Sequence, residues 1–263
     1  MKKAGKVHYL EPGLLAASGI ISAGFTTRHE GVSRHPYNTF NLGSTTSDAP
    51  HNVQGNRSIL ARAFGVRSER VVTVAQVHGT DLLIIDTPNP DYSHFLKLEC
   101  DGLITNQAGV MIGVCVADCV PLLLLDQKKR VAAALHAGWK GTAQEIGIKG
   151  VEALVAMFES KPRDILAAIG PGIGSCCYEV DTQVMEAFGK NNEVWEASAR
   201  ETGRGRWRLD LASANYRQLL MAGLEEVNIE TTTLCVFCEH DLFFSHRRDN
   251  GETGRQMGFI MLK

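Results

Sequence analysis

Three side chains in this sequence combine into a chemistry: His78, Cys119 and His136. Imidazole nitrogen and thiolate sulfur are donors that zinc accepts, and a catalytic zinc uses three protein ligands with a fourth position left open. Cys119 and His136 lie at the ends of two strongly apolar segments within VMIGVCVADCVPLLLLDQKKRVAAALHAGWKG, residues 110–141. Each stands beside a turn signal, Val-Pro after the first and Ala-Gly after the second, which is where a sheet places reactive groups. His78 falls in His78-Gly79-Thr80, between β-rich segments 70–77 and 81–86, and is expected at a strand end. No HExxH or paired CxxC fixes the geometry, so the same atoms also fit a Cys119 nucleophile with His136 as base and Asp118 or His78 orienting it. Asp118 itself lies in an apolar run, where a carboxylate needs a reason.

Other polar residues are weaker candidates. Cys235-x-x-Cys238 is a single CxxC that cannot close a four-ligand zinc site by itself, and Leu234, Val236 and Phe237 give it the look of a core strand. Packing is the expected role there and for the adjacent Cys176 and Cys177. Arg247 and Arg248, with Ser245, follow a segment ending in FFSH and precede an Asp-Asn-Gly turn; they form either a solvated turn or a bidentate grip on phosphate or carboxylate. Arg57 on a helix divides in the same way between a solvated face and an anion site. Asp101-Gly102 reads as a turn, and Asp101 as a turn residue more than a catalytic one. The stretch PGIGSCCYEV contains no full phosphate-loop or dinucleotide fingerprint.

The elements that must position these groups alternate along the chain without repeats. A strand over 20–27 precedes a polar loop, RHEGVSRHPYNTFNLG, and then a helix with Asp48 as N-cap, Val53, Ile59, Leu60 and Phe64 on its apolar face, and Gly65 as its stop. After the two segments flanking His78 comes a Pro/Asn/Asp-rich loop, TPNPDYSH, followed by strands CDGLIT, VMIGVCV and RVAAALHAGW. Next is an amphipathic helix, TAQEIGIKGVEALVAMF, with Thr142 as its cap. A buried strand DILAAIG, a helix VDTQVMEAFG, a polar stretch through Arg208 and a helix capped by Asp210 and ended by Gly223 lead to a tail of strands: NIETTTLCVFC, LFFSH and a closing strand. This order predicts a single domain over residues 1–263, in the α+β class, with packed mixed sheets and helices outside them more than a regular βαβ winding.

Composition narrows the partners. Hydrophobic residues make up 44% of 263, ample for a substantial core, and 27 basic against 29 acidic residues leave a net charge of -2. That balance gives no electrostatic case for nucleic acid or a membrane surface, so small molecules are expected. Seven irregularly spaced cysteines fit a reducing, cytoplasmic setting. The start has a basic front and a short apolar patch, but Glu11 and Pro12 interrupt it and Phe25-Thr26-Thr27 reads on as strand, so no secretory signal is expected. The longest apolar run is broken by Asp118 and Pro121, which argues against a membrane span.

The motifs FTTRHEGVS, FNLG, QVHGTD, CDGLIT, VADCVPLLL, HAGWKGT, IGPGIGSCCYEV and FFSHRRDNGETGRQ together resemble the YfiH-like proteins. These were once labelled polyphenol oxidases or laccases and are now described as purine nucleoside phosphorylases with adenosine deaminase activity. The resemblance implies a single α/β domain of two packed sheets flanked by helices, an α/β/β/α sandwich, and one zinc ion held by His78, Cys119 and His136. It implies phosphate-dependent cleavage of adenosine, inosine, guanosine and methylthioadenosine, and hydrolytic loss of ammonia from adenosine. In that setting Asp118 is the expected proton carrier beside Cys119 and His136, and Arg28, Asn41, Arg57 and Arg247 are the expected contacts to substrate or phosphate. CVFCEHD departs from the family pattern, where a single Cys followed by Thr is expected. Multi-copper oxidases resemble one another in His-x-His pairs, and none of the nine His here forms one. Also attached to the family is a hydrolase that removes a wrongly added amino acid from a cell-wall precursor. A non-enzymatic zinc module is a third reading, and it requires a fourth ligand.

Overall fold

The runs Val120–Asp126, Val131–Ala137 and Gln256–Leu262 are buried at every position. Strands with no polar face must be covered on both sides. The computed structural model, which describes residues 1–88, 90–189 and 192–263, shows what covers them. Asn89 of the predicted Pro/Asn/Asp loop, and Lys190 and Asn191 at the start of the predicted polar stretch, lie outside the described residues.

Two six-stranded mixed sheets pack face to face. The first runs in the order Lys2–Ala4, Val7–Leu10, Ile21–Thr26, Gln256–Leu262, Met111–Val116, Val71–Val72, antiparallel except at its final pair. The second runs Ile229–Thr231, Ile165–Ile169, Val120–Asp126, Val131–Ala137, Gly102–Thr105, Leu82–Ile85, with parallel pairs at both edges and antiparallel pairs between them. Because successive side chains in a strand point to opposite faces, Leu123, Leu125, Ala132 and Ala134 meet Phe25, Ile112, Val114 and Ile260 of the first sheet. Leu122, Leu124, Ala133 and Leu135 point the other way, into the core that includes helices Ile146–Phe158 and Leu211–Met221. Helix Pro50–Ala63 covers the first sheet's outer face, Leu60 and Ala61 packing with Met111, Met257 and Phe259. The layers are therefore helix, sheet, sheet, helix, as expected. Each fully buried Leu of the central run contributes roughly 1.5–3 kcal/mol.

Several local expectations fail for identifiable reasons. Of 70–77 only Val71–Val72 joins a sheet, because the Gln76 side chain takes over farther along, donating to Cys115 O and accepting from Cys115 N at 2.8 Å each. Asp48 does not cap its helix: Ala49 holds that position and Pro50 starts the helix, while Asp48 accepts from Ser33 Oγ at 2.6 Å and Asn41 Nδ2 at 3.0 Å. Thr142 belongs to a separate short helix, Trp139–Ala143, and its hydroxyl accepts from Asn215. The long helix begins at Ile146, after Glu145 in the left-handed region at φ 67°. LFFSH is not a strand; Phe243 and Phe244 are buried in an irregular segment whose Phe244 N–H donates to Gln256 Oε1. Asp210 does cap its helix, accepting from Ser213 N at 2.9 Å, and Gly65 and Gly223 take positive φ beyond their helix ends.

Candidate metal centre

The second sheet's register brings the candidate side chains to one end of four neighbouring strands. Val120 pairs with Ala137 and Pro121 with His136, so Cys119, one residue before its strand, lies beside the end of the His136 strand. Gly102 pairs with Leu135, which sets Asp101 against His136; the His136 N–H donates to Asp101 O at 2.7 Å. Leu82 pairs with Gly102, and His78 lies in the turn leading into that edge strand. His78 is at φ 62° and Asp118, next to Cys119, at φ 90°, two non-glycine residues in the left-handed region at the point where their neighbours must be aimed.

His78, Cys119 and His136 offer one ligand atom each, all within 4.8 Å of one another. The two imidazoles meet edge to face with centroids 4.8 Å apart. His136 is buried, Cys119 partly so, and His78 exposed, so the group opens toward solvent on one side. Gly138 leaves the necessary room: a Cβ there would stand 2.9 Å from Cys119 Sγ and 3.1 Å from His78 Cδ2.

Asp101 organises this group. Its fully buried carboxylate accepts from His136 Nδ1 at 2.7 Å, from His78 N at 2.9 Å, from Gly79 N at 2.6 Å and from Val77 N at 3.2 Å. Burial opposes the charged carboxylate, but the His136 hydrogen bond and charge and the Gly79 and His78 N–H groups outweigh it and hold the group below its usual range. An ionised carboxylate only accepts, so His136 Nδ1 carries the proton and Nε2 is left for Cys119 or an ion. This is the carboxylate–histidine arrangement that orients metal ligands, and it corrects the reading of Asp101 as a simple turn residue. It also replaces Asp118 as the group that orients His136. The signal available in the sequence was an Asp immediately before GLIT, a strand that is buried throughout.

Without an ion the pair is charged. Burial alone would raise the Cys119 thiol, but the adjacent His136, together with hydrogen bonds from His136 and His78, brings it from 9.0 down to about 6. Burial likewise disfavours the His136 imidazolium, yet Cys119 and Asp101 carry it from 6.5 up to about 9. A thiolate with two imidazoles and an open side is a donor set for a divalent or other borderline metal ion. Three protein ligands with an opening correspond to a catalytic arrangement and not a closed structural one.

A cavity of about 370 Å³ lies over this group. Asp118, Tyr178, Arg247 and Arg255 line it together with His78, Cys119 and His136. Asp118 accepts from Ser245 Oγ at 2.5 Å and Arg247 N at 2.6 Å. Its pKa is nevertheless raised, burial outweighing those donors. The Arg247 guanidinium stands 5.3 Å from the Tyr178 ring centroid and donates to Glu179 O. Arg255, which the sequence reading did not single out although it lies in the quoted GRQ motif, is placed by its own N–H donating to Asn41 Oδ1 at 2.9 Å.

The remaining expected contacts lie elsewhere. Asn41 is fully buried; it also accepts from Gly43 N, and so shapes the 43–45 loop at the pocket edge. Arg57 is buried and does not line the cavity; it donates to Val71 O at 2.6 Å and, from behind the wall, to the lining residue Thr73 at Oγ1, 3.0 Å. Arg28 donates to Asn38 O and His240 O and lies over the Phe244 ring. Arg248 is spent on Val236 O, Phe237 O, Phe243 O and Asp249.

A family model described as "Multi-copper polyphenol oxidoreductase laccase" matches residues 22–263. The chain is 37% identical over 248 residues to a Bacillus subtilis protein named purine nucleoside phosphorylase YlmD, a match covering 92% of this chain and 89% of that one. A protein of the same name from Geobacillus stearothermophilus is 39% identical over 251 residues, covering 90% and 89%. The solved structure of Bacillus licheniformis hypothetical protein YfiH superposes with a TM-score of 0.90 at 34% identity, over 99% of this chain and 98% of that one.

Proposed function

The chain belongs to the multi-copper polyphenol oxidoreductase laccase family, and on that footing we propose that it is a zinc-dependent purine nucleoside phosphorylase with adenosine deaminase activity. The observation that carries this reading is a metal-type donor set, His78, Cys119 and His136, on the floor of a cavity that also presents arginines. The relatives named purine nucleoside phosphorylase supply the substrate class. The proposed substrates are adenosine, inosine, guanosine and methylthioadenosine, with inorganic phosphate as co-substrate.

In phosphorolysis a phosphate oxygen bonds to the anomeric carbon while the bond from that carbon to the purine nitrogen breaks, and the purine leaves with the electron pair and takes up a proton. The chain's part is to hold the anion, orient the nucleoside and move that proton. Arg247 and Arg255 are the guanidiniums on the cavity wall, each held by one Nη1 on backbone carbonyls (Glu179 O; Thr253 O and Gly254 O), and we place phosphate there in preference to Arg28 and Arg57 because those two do not line the cavity. Tyr178 offers an aromatic face beside Arg247. Asp118, lining the cavity with a raised pKa, is the proposed proton carrier, the direction of shift that proton exchange near neutral pH requires. A zinc ion at the His–Cys–His group would supply Lewis acidity for the hydrolytic loss of ammonia.

The test is to incubate pure protein with adenosine, with and without phosphate, and resolve adenine, inosine and hypoxanthine. Adenine formed only with phosphate is the expected result, and inosine formed without phosphate is expected for the deaminase activity. Absence of turnover with every nucleoside would sink this reading and bring forward the cell-wall hydrolase. One geometric feature favours a second mechanism: Cys119, His136 and Asp101 also form a thiolate–imidazole–carboxylate series suited to nucleophilic catalysis. Full activity in protein stripped of metal would select that series over the metal.

A further inference from the structure

Five of the seven cysteines have no part in the cavity, and four of these, Cys176, Cys177, Cys235 and Cys238, converge on one another. Cys176 and Cys177 follow strand Ile165–Ile169, and Cys235 and Cys238 follow strand Ile229–Thr231, which pairs with it. Their sulfurs all lie within 4.8 Å of one another, with Cys177 Sγ 3.4 Å and Cys176 Sγ 3.7 Å from Cys238 Sγ. Tetrahedral zinc–sulfur bonds of about 2.3 Å set neighbouring sulfurs about 3.8 Å apart, so a small inward relaxation of the longer edges completes a coordination tetrahedron. All four are free thiols. We propose that Cys176, Cys177, Cys235 and Cys238 bind a second zinc ion as a closed four-thiolate structural site.

The backbone around the cluster is already arranged for this. Gly172 forms a parallel bridge with Cys235, and Val236 N donates to Gly172 O at 3.0 Å, locking the two segments together. Gly174 N donates to Cys235 Sγ at 3.2 Å, the backbone-to-sulfur hydrogen bond that spreads charge on a ligating thiolate. A Cβ on Gly174 would meet Cys235 Cβ at 3.1 Å and Cys176 Sγ at 3.3 Å, so glycine lets the two strands of ligands close up. Within the Cys-x-x-Cys loop, Arg248 holds Val236 O and Phe237 O, and Arg208 holds Cys176 O at 3.0 Å. Four thiolates around a divalent ion carry two net negative charges, and these two guanidiniums lie beside them. Cys176 and Cys238 are exposed while Cys235 is buried, so an ion can enter from solvent and be fixed against the core.

The segments joined here are the same ones that wall the cavity. Ile173 and Tyr178 flank the first pair of cysteines, and Arg247 follows the second, all three on the cavity lining. The site thus acts as a staple across the two loops and takes no part in chemistry, since its coordination is complete without water or substrate. The second pair that Cys235-x-x-Cys238 lacks in the sequence is supplied across the fold by two adjacent cysteines.

The test is metal content of full-length, untagged protein, prepared without chelator or oxidant. Two zinc equivalents per chain are expected, falling to one in Cys235→Ser/Cys238→Ser and to one in His78→Ala. Cobalt(II) loaded into His78→Ala should give the intense thiolate-to-cobalt absorption and visible bands of a tetrahedral four-sulfur site. Thermal unfolding of His78→Ala protein, which keeps only this ion, should shift downward when the ion is removed with a chelator. Absence of zinc from His78→Ala protein, a cobalt spectrum without four sulfurs, or a disulfide between these cysteines in protein isolated anaerobically would each overturn the proposal. The metal content and cobalt spectrum of His78→Ala decide the matter even where the double cysteine variant does not fold.

Discussion

Asp101→Asn removes one charge and changes no volume, which makes it a selective probe of the proposed centre. The carboxylate serves four donors: His136 Nδ1 and His78 N on Oδ1, and Gly79 N and Val77 N on Oδ2. An asparagine can keep its oxygen toward only one of these pairs. With oxygen facing His136, the amide N–H₂ confronts the backbone N–H groups of Val77 and Gly79. With oxygen facing Gly79, the amide donates toward His136 Nδ1, the imidazole proton moves to Nε2, and the atom facing Cys119 can no longer be a ligand. Either way the variant gives up at least one charge-assisted hydrogen bond, about 1.5–3 kcal/mol of stability. Loss of the carboxylate behind a ligating imidazole weakens metal binding by roughly 10–100-fold, which is about 1.4–2.7 kcal/mol. Affinity is read by competition against a chromophoric chelator and stability by urea unfolding of metal-free protein. Activity should return in part at high added metal. A variant that binds metal within threefold of wild type, while losing stability as expected, would refute the assignment of Asp101 as the residue that positions His136 for an ion.

Three further outcomes follow from the same geometry. In metal-free protein the Cys119 thiolate persists down to about pH 6 and the His136 imidazolium up to about pH 9, so alkylation of Cys119 by iodoacetamide should rise through about pH 6 and be suppressed by metal; a rise only near the ordinary thiol value of 9.0 would contradict the ion pair. Gly138→Ala should lower metal content and cost about 1–3 kcal/mol of stability, because its methyl group crowds Cys119 and His78; unchanged metal content and unfolding midpoint would show that the turn yields. Arg247→Ala should raise the KM for phosphate about tenfold or more, whereas Arg57→Ala should lower stability by about 1.5–3 kcal/mol and leave that KM unchanged. The reverse pattern would move the anion site to the Arg57 side.

What the sequence discloses here depends on whether a residue's role is set by its neighbours along the chain or across the fold. Cys119 and His136 stand out because each ends an apolar strand, and a buried strand is visible as an unbroken run such as VPLLLLD. The layered arrangement is legible for the same reason. Asp101 is hidden because Asp-Gly is a common turn pair, and its task arises only when Gly102 pairs with Leu135 and sets it against His136. Arg57 and Arg247 look alike in sequence; which is buried under Thr73 and which faces the cavity is decided by packing. The four clustered cysteines read as two unrelated pairs because the bridge between Gly172 and Cys235 that unites them spans distant parts of the chain.

The place of Gln256–Leu262 in the first sheet has a consequence for how the molecule comes into being. That strand lies between Ile21–Thr26 and Met111–Val116, at the middle of its sheet and not the rim. While the chain is emerging from the ribosome, each flanking strand can pair with its other neighbour, Val7–Leu10 or Val71–Val72, but the edge that faces the middle of the sheet stays unpaired until this strand has been delivered. Such distant pairing makes for slow closure and a window for aggregation. Arg255, on the cavity wall, arrives just ahead of the same strand, so the cavity is complete only once this end of the chain is in place. A nascent chain stalled before this segment would carry His78, Cys119 and His136 without the part of the cavity wall that Arg255 supplies.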